Sequence, residues 1–182
     1  MGWTIIHTEI YIENDRLLIH ALRNHDLTAL TAMREDARIY RYEPSFLAEL
    51  QGTPEEALKT IRSMDLDEDR QCILGIYEKA DPDVLVGLAE FYDYKPSGKV
   101  VSIGYRLIPK FWGRGIATCS IHALADYLQS NTQVELVTAH VNPDNGASVR
   151  CLQKNGFAYL HTKTEDWGHA QPSVAEVYTL DL

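Results

Sequence analysis

The sequence predicts a mixed α/β (α+β) fold, a mostly antiparallel twisted sheet of six to seven strands with about four helices on its two faces. Three observations lead there. The stretch Val100–Leu107 alternates as a strand, and Pro109, Gly113 and Gly115 then carry the chain into a helix. Two further strands precede it through short turns, which makes a three-stranded antiparallel meander. A helix then separates it from the next strand, and a helical crossover implies a parallel pair.

The elements follow in order. Arg16–Ala21 (RLLIHA) is a short apolar strand, and Asp26 is placed to cap a helix that starts near Leu27 and continues through Leu30 and Met33. Asp36–Phe46 breaks the helical period at Pro44 and is rich in Tyr and Arg. Thr53 and Pro54 then open a second helix through Leu58, Ile61 and Met64. Two helices after the first strand are expected to form a lid over a site. Gln71–Lys79 and Val84–Asp93 read as strands of a hairpin turning at Asp81–Asp83, and Lys95–Gly98 turns into the central strand.

In that strand Val101, Ile103, Tyr105 and Leu107 share one strongly apolar face, opposite Val100, Ser102, Gly104 and Arg106. From Ala117 the period becomes helical, with Ile121, Leu124 and Leu128 along one stripe. Val134–Val141 is the next strand, Asn145 caps a short helix closed by Asn155 and Gly156, and Phe157–Thr162 and Val174–Leu182 are the last strands. Lys163–Ser173 is read as a long loop carrying Trp167 and His169.

A strand running through glycines into a helix is an anion site in outline. The first helical turn has backbone N–H groups without intrahelical partners, and the helix dipole adds partial positive charge there. Gly113 and Gly115 remove the Cβ atoms that would keep a phosphate off the backbone, and Lys110 and Arg114 bracket the turn with charge. The same residues also fit the start of a dinucleotide fingerprint, with Glu135 about 20 residues on, but Thr118 stands at the third glycine and the motif follows an antiparallel meander.

With 182 residues and 45% hydrophobic content, a single domain spanning 1–182 is expected. No stretch approaches the roughly 20 apolar residues that span a bilayer, and the N-terminus carries acids where a signal peptide carries bases, so a cytoplasmic protein with no membrane partner is expected. Net charge is −9, and residues 1–98 account for all of it, with 19 acids against 10 bases. Such a chain is a poor nucleic-acid binder and a plausible host for cationic amines. Cys72, Cys119 and Cys151 are widely spaced in apolar contexts, which suggests buried reduced thiols, with no disulfide framework and no metal site.

Element order and three motifs together resemble the GNAT superfamily of acetyl-coenzyme A-dependent N-acetyltransferases, and most of all its ribosomal-protein N-terminal (RimJ/RimL-like) type. The motifs are Lys110, Gly113 and Gly115 in PKFWGRGIAT; Asn142, Asn145 and Ser148 in HVNPDNGASVRCLQ; and Asn155–Phe157 after them. Lys110 departs from the family's usual Gln or Arg. No tyrosine occupies the helical turn Val149–Leu152, where many relatives carry the group that protonates the leaving thiolate; Ser148 matches the serine of the RimL-like subgroup.

The resemblance implies a splayed parallel central strand pair and acetyl-CoA as cosubstrate. The pyrophosphate would be held at Gly113, Arg114, Gly115, Ile116 and Ala117 with Lys110. Leu107 and Ile108 would lie beside the pantetheine arm, and Asn142 and Asn145 near it. Direct transfer to a primary amine needs an unprotonated nitrogen, a held oxyanion and a released thiolate. Ser148 is the candidate acid; Glu90 and His140 are candidate proton relays, with a solvated strand-end carboxylate and a core histidine as their structural alternatives. Tyr40, Tyr42 and Trp167 are candidate acceptor contacts, although packing of aromatic side chains between helices is the favoured use of Tyr40 and Tyr42. The acceptor is expected to be a protein N-terminal α-amine or a small cationic amine such as a polyamine, aminoglycoside or amino acid. A non-catalytic acetyl-CoA sensor is the reading from another class, and a homodimer is suggested by the resemblance alone.

Overall fold

The computed structural model describes residues 10–44, 52–167 and 169–182. Among them, eight strands and four α-helices follow one another: β1 (Tyr11–Glu13), β2 (Leu17–His20), α1 (Leu27–Glu35), α2 (Pro54–Ser63), β3 (Cys72–Glu78), β4 (Asp81–Lys95), β5 (Val100–Leu107), α3 (Ile116–Asn131), β6 (Leu136–Val141), α4 (Gly146–Lys154), β7 (Ala158–Glu165) and β8 (Ser173–Asp181). The strands form one sheet in the order β1-β2-β3-β4-β5-β6-β8-β7, and β5–β6 is its parallel pair. The expected mixed architecture is present. The sheet has one strand more than expected because β1, three residues with only Ile12 buried, is too short to show a period.

Local signals account for most boundaries. Thr53 and Glu56 cap α2 reciprocally, with Pro54 in the first turn and Glu55 and Glu56 favourably placed against the helix dipole. Asn145 Oδ1 accepts from the Ser148 N–H at the start of α4, and the helix closes where Gly156 at φ +83° lets the Phe157 N–H reach the Leu152 carbonyl. In α3, Ile116, Ile121, Leu124 and Leu128 are all about 1% exposed or less. Burial of each contributes roughly 1.5–3 kcal/mol, which holds the helix against β5.

Three expectations are corrected. Asp26 does not cap α1: its side chain turns inward, and Oδ2 accepts from the Arg23 N–H at 2.6 Å and from Tyr77 Oη at 2.6 Å, closing the short 3-10 turn before the helix. Asp81–Asp83 belongs to β4 and the hairpin turns earlier, with Glu78 opposite Asp81, because β4 absorbs the proline at its exposed beginning through a register shift. β7 continues to Glu165 through a stretch expected to be loop; it is the sheet edge, mostly exposed, so its sequence lacks the apolar alternation that marks a half-buried strand. Of the expected irregular segment Asp36–Phe46, Ser45 and Phe46 lie outside the described residues.

Strand β5 has no solvent face. Val101 and Ile103 are buried on one side, Ser102 and Arg106 on the other. Its pairing with β6 runs only from Val100↔Leu136 to Ser102↔Thr138, where Ser102 Oγ and Thr138 Oγ1 share a hydrogen bond of 2.6 Å. Beyond that point β5 stays with β4 as far as Leu107, and β6 stays with β8 as far as Val141. The parallel pair therefore opens into a wedge.

Candidate active site

The wedge is flanked by two connected spaces. The larger, a cleft of about 900 Å³, runs from Phe111, Trp112 and Gly113 past the first turn of α3 to Asn145, Ser148 and Cys151 on α4. The smaller, about 100 Å³, sits in the opening itself between Ile103–Arg106 of β5 and Ala139–Asn142 of β6. Tyr42, Tyr105, Arg106, Asn145 and Ser148 border both.

The large cleft is shaped by the chain between β5 and α3. Pro109–Phe111 forms a 3-10 turn, and the Trp112 Nε1–H donates to the Leu107 carbonyl at 2.8 Å, folding the turn back on the strand end. Gly113 and Gly115 have φ of +72° and +76°, a region costly for residues with a side chain. A Cβ on Gly113 would meet nothing within 4 Å, so its backbone is open to a ligand. Gly115 is the N-cap of α3 and provides no capping side chain, and the first intrahelical bond runs from the Cys119 N–H to the Gly115 carbonyl. The amides of Ile116, Ala117 and Thr118 are thus left at the helix end, facing the cleft. Amides, positive backbone torsions and open space fit a diphosphate with an extended arm, as in acetyl-CoA.

The expected cofactor residues divide. Leu107, Gly113, Gly115, Ile116, Ala117 and Asn145 border the large cleft, and Asn142 the small space. Ile108, Lys110 and Arg114 border neither among the described residues. The Ile108 N–H is used on the Val86 carbonyl, and Lys110 lies over the Phe111 ring at 4.8 Å. Arg114 turns to Glu78 of β3 at 2.7 Å, where Arg16 also binds, and Arg16 reaches back to the Arg114 carbonyl at 2.8 Å. These ion pairs fix the turn from behind and hold the Arg114 guanidinium away from the cleft. Glu135, the acid of the dinucleotide alternative, pairs with Lys99 at the opposite end of β5 and β6. The thiols are free, but only Cys72 is fully buried, and burial raises its pKa to about 12.

All three candidate catalytic residues converge on the small space. Ser148 Oγ accepts a hydrogen bond from Tyr105 Oη at 3.2 Å, and burial pushes the Tyr105 hydroxyl well above its usual pKa. Glu90 Oε1 is bound by Arg106 Nη1 at 2.7 Å, and Arg106 Nη2 binds Glu43 at 2.8 Å. His140 Nδ1 lies 3.0 Å from Glu165 Oε1, which Lys163 also binds at 2.6 Å. Burial opposes ionisation of Glu165, but the hydrogen bonds from His140 and Lys163 outweigh it and hold its pKa at about 2. Tyr92, partly buried with its ring edge against His140, is pushed up first by burial and then by the charges of Glu90, Glu43 and Glu165.

On the acceptor side, Tyr42 borders both spaces and its carbonyl is held by His169 Nε2 at 3.1 Å, while Trp167, 9% exposed, lines the small one. The two irregular segments expected to carry specificity are therefore tied together across the mouth. Tyr40 is not brought to the site: it is buried with its hydroxyl on the Met33 carbonyl at 2.9 Å, and burial raises its pKa to about 12. It packs beneath α1, the aromatic alternative considered above.

Tyr105, Arg106, Glu43 and Glu165 were not picked out from the sequence. Tyr105 has the alternation of a core residue, and Glu43 and Glu165 sit in segments with no period. Arg106 alone left a trace, as a long charged side chain inside a strand that a crossover would cover.

The chain belongs to the acetyltransferase (GNAT) domain family, whose sequence model matches residues 16–158. It is accordingly an acetyl-CoA-dependent N-acetyltransferase. It is 29% identical over 147 residues to the uncharacterized N-acetyltransferase YoaA of Bacillus subtilis, covering 80% of this chain and 81% of that protein. Its fold is similar to that of RimL, a ribosomal L7/L12 α-N-protein acetyltransferase solved with coenzyme A, at TM-score 0.78 and 19% identity over 95% of this chain and 98% of that one. It is also similar to spermidine N-acetyltransferase from Vibrio cholerae solved with CoA and spermine, at TM-score 0.74 and 17% identity over 92% and 96%. No described helix is long and apolar enough to cross a membrane.

Proposed function

We propose that this enzyme acetylates the α-amine at the N-terminus of a protein or peptide in the cytoplasm, in the manner of the RimJ/RimL-like type. The observation that carries the reading is the engagement of both candidate bases: Glu90 is held by Arg106 and His140 by Glu165. An α-amine, with a pKa near 8, needs only slight help to lose its proton at neutral pH, whereas a lysine-like amine near 10.4 needs far more. Further support comes from Ser148, which the sequence resemblance matches to the serine of the RimL-like subgroup.

Acetyl-CoA, when bound, supplies an activated acetyl as a thioester. The amides of Ile116–Thr118 bind its diphosphate, and backbone groups of β5 beyond Ser102, which have no β6 partner, pair with the arm. The amine enters the small space past Tyr42 and Trp167, so that its nitrogen faces the carbonyl carbon at the wedge, where positioning supplies much of the rate. Glu90 or His140 receives the amine proton, directly or through water, and Ser148 Oγ, steadied by Tyr105, gives its proton to the departing sulfur.

A polyamine is the second reading, favoured by the three carboxylates Glu43, Glu90 and Glu165 around Tyr92. Mass spectrometry after incubation with acetyl-CoA and a panel of N-terminal peptides, spermidine, aminoglycosides and amino acids separates them. Acetyl on peptide N-termini supports the first reading, and acetyl on spermidine alone overturns it. Titration calorimetry that finds acetyl-CoA binding with no thiol release on any amine would leave a sensor. Light scattering tests the homodimer that the family resemblance suggests.

A further inference from the structure

The Glu43–Arg106–Glu90 cluster has a role beyond charge balance. Glu90 pairs with Gly104 across β4 and β5, and a Cβ on Gly104 would collide with Glu90 Oε1. The missing side chain is what allows the carboxylate to fold across the neighbouring strand. There it meets Arg106 Nη1 at 2.7 Å, on a guanidinium whose side chain is 8% exposed. The other arm of the same guanidinium takes Glu43 at 2.8 Å, on the irregular segment that borders the acceptor mouth. Burial works against the Arg106 charge, but Glu90 and Glu43 outweigh it and raise its pKa. A planar fork with donors on both nitrogens can hold two carboxylates in fixed directions, as a lysine cannot.

We propose that Arg106 is a positioning residue that aims Glu90 at the acceptor nitrogen and, through Glu43, couples that aim to seating of the acceptor-side segment. Arg106 borders both spaces, and in this scheme it acts through the two carboxylates. The proposal rests on the reading of this site as the place of acetyl transfer to an amine, with Glu90 receiving the proton. The other ionisable groups around the same space are Tyr42 on the acceptor-side segment, Tyr92 on β4, Tyr105 on β5 and His140 on β6, with Glu165 behind His140.

The test is a double-mutant cycle on the full chain with the best amine of the panel, reading kcat and KM for each substrate across pH. Arg106→Met is expected to lower kcat/KM for the acceptor about 100-fold, mostly through kcat, with acetyl-CoA affinity changed less than about twofold. Arg106→Lys is expected to recover part of the lost rate. In a Glu90→Gln background the Arg106→Met loss should shrink to about threefold or less, because the two act as one unit. Glu43→Gln, at a half-exposed position that does not threaten folding, should raise the acceptor KM about fivefold with kcat largely kept. Gly104→Ala should reproduce the Glu90→Gln profile with Glu90 still present.

Full additivity of Arg106→Met and Glu90→Gln, or no recovery of rate in Arg106→Lys, overturns the proposal. If Arg106→Met does not fold, Glu43→Gln and Gly104→Ala decide it, and wild-type behaviour of both overturns it. Failure of the underlying reading looks different: the wild-type protein then releases no CoA with any amine.

Discussion

The two halves of the active cleft are built by opposite means. The cofactor half is made by one continuous stretch, Leu107–Thr118, in which a strand end, a 3-10 turn, two left-handed glycines and a helix start follow one another. The groups it offers in the proposed reading are backbone amides, whose direction is fixed by local torsions. The acceptor half is assembled from five separate places: Tyr42 and Glu43, Glu90, Tyr105 and Arg106, His140, and Glu165 at the end of β7 with Trp167 just beyond it. Its groups are side chains, held by ion pairs between distant segments. The difference teaches that the half proposed for acetyl-CoA depends on what the backbone must do, and the half proposed for the acceptor on which side chains are brought together.

That contrast can be broken first at the glycines. Gly113→Asp or Gly115→Asp is expected to abolish acetyl-CoA binding, more than 100-fold by calorimetry, through left-handed strain and a carboxylate set against the diphosphate, while the circular dichroism spectrum is kept. Undiminished affinity would remove the phosphate from that turn. The next largest effect belongs to the shared border. Ser148→Ala should lower kcat about 100-fold with acetyl-CoA affinity unchanged, and Tyr105→Phe, which leaves Ser148 its own proton, about tenfold. Equal losses in both variants would make Tyr105 the donor.

Smaller effects sharpen the acceptor side. His169→Ala releases the Tyr42 carbonyl and should raise the acceptor KM several-fold without touching acetyl-CoA binding. A matching fall in acetyl-CoA affinity would mean that the halves are not separable. Last is the response to acid. The folded Glu165 pKa, about 2, lies below its ordinary 4.5, so its ionised form is favoured by folding. The unfolded chain then binds more protons between those values, and this contribution is full above pH 4.5 and is lost as pH falls toward 2. Thermal melts of Glu165→Gln should show a flatter slope in that window and a Tm at neutral pH a few degrees lower. A slope equal to wild type would place the acid sensitivity elsewhere.

The difference in construction also explains what could be read in advance. The meander, the crossover and the α3 start follow from apolar periods and from glycine and proline placement, all of them nearest-neighbour effects along the chain. The α2 capping box and the closure of α4 at Gly156 are equally local. Asp26 shows where such reasoning stops: its residue type suits a helix cap, but Tyr77, 51 positions away, offers a buried hydroxyl and the carboxylate turns to it. Lys110 and Arg114 fail in the same way, since the charge was visible and the partners on Phe111 and Glu78 were not. Tyr40 and Tyr42 stand two residues apart with the same side chain, and only packing sends one under α1 and the other to the mouth.

The amino-acid order by itself determined the mixed sheet, the crossover that makes β5 and β6 parallel, and the open helix end at Gly115, because each depends on torsions and periods within a few neighbouring residues. Tertiary structure alone decided that β5 and β6 part after Ser102, that Arg106 joins Glu43 to Glu90, and that Tyr105 reaches Ser148. Those contacts span up to 63 positions between Glu43 and Arg106. Their energies depend on burial and on the direction of approach, and neither quantity exists until the chain has folded.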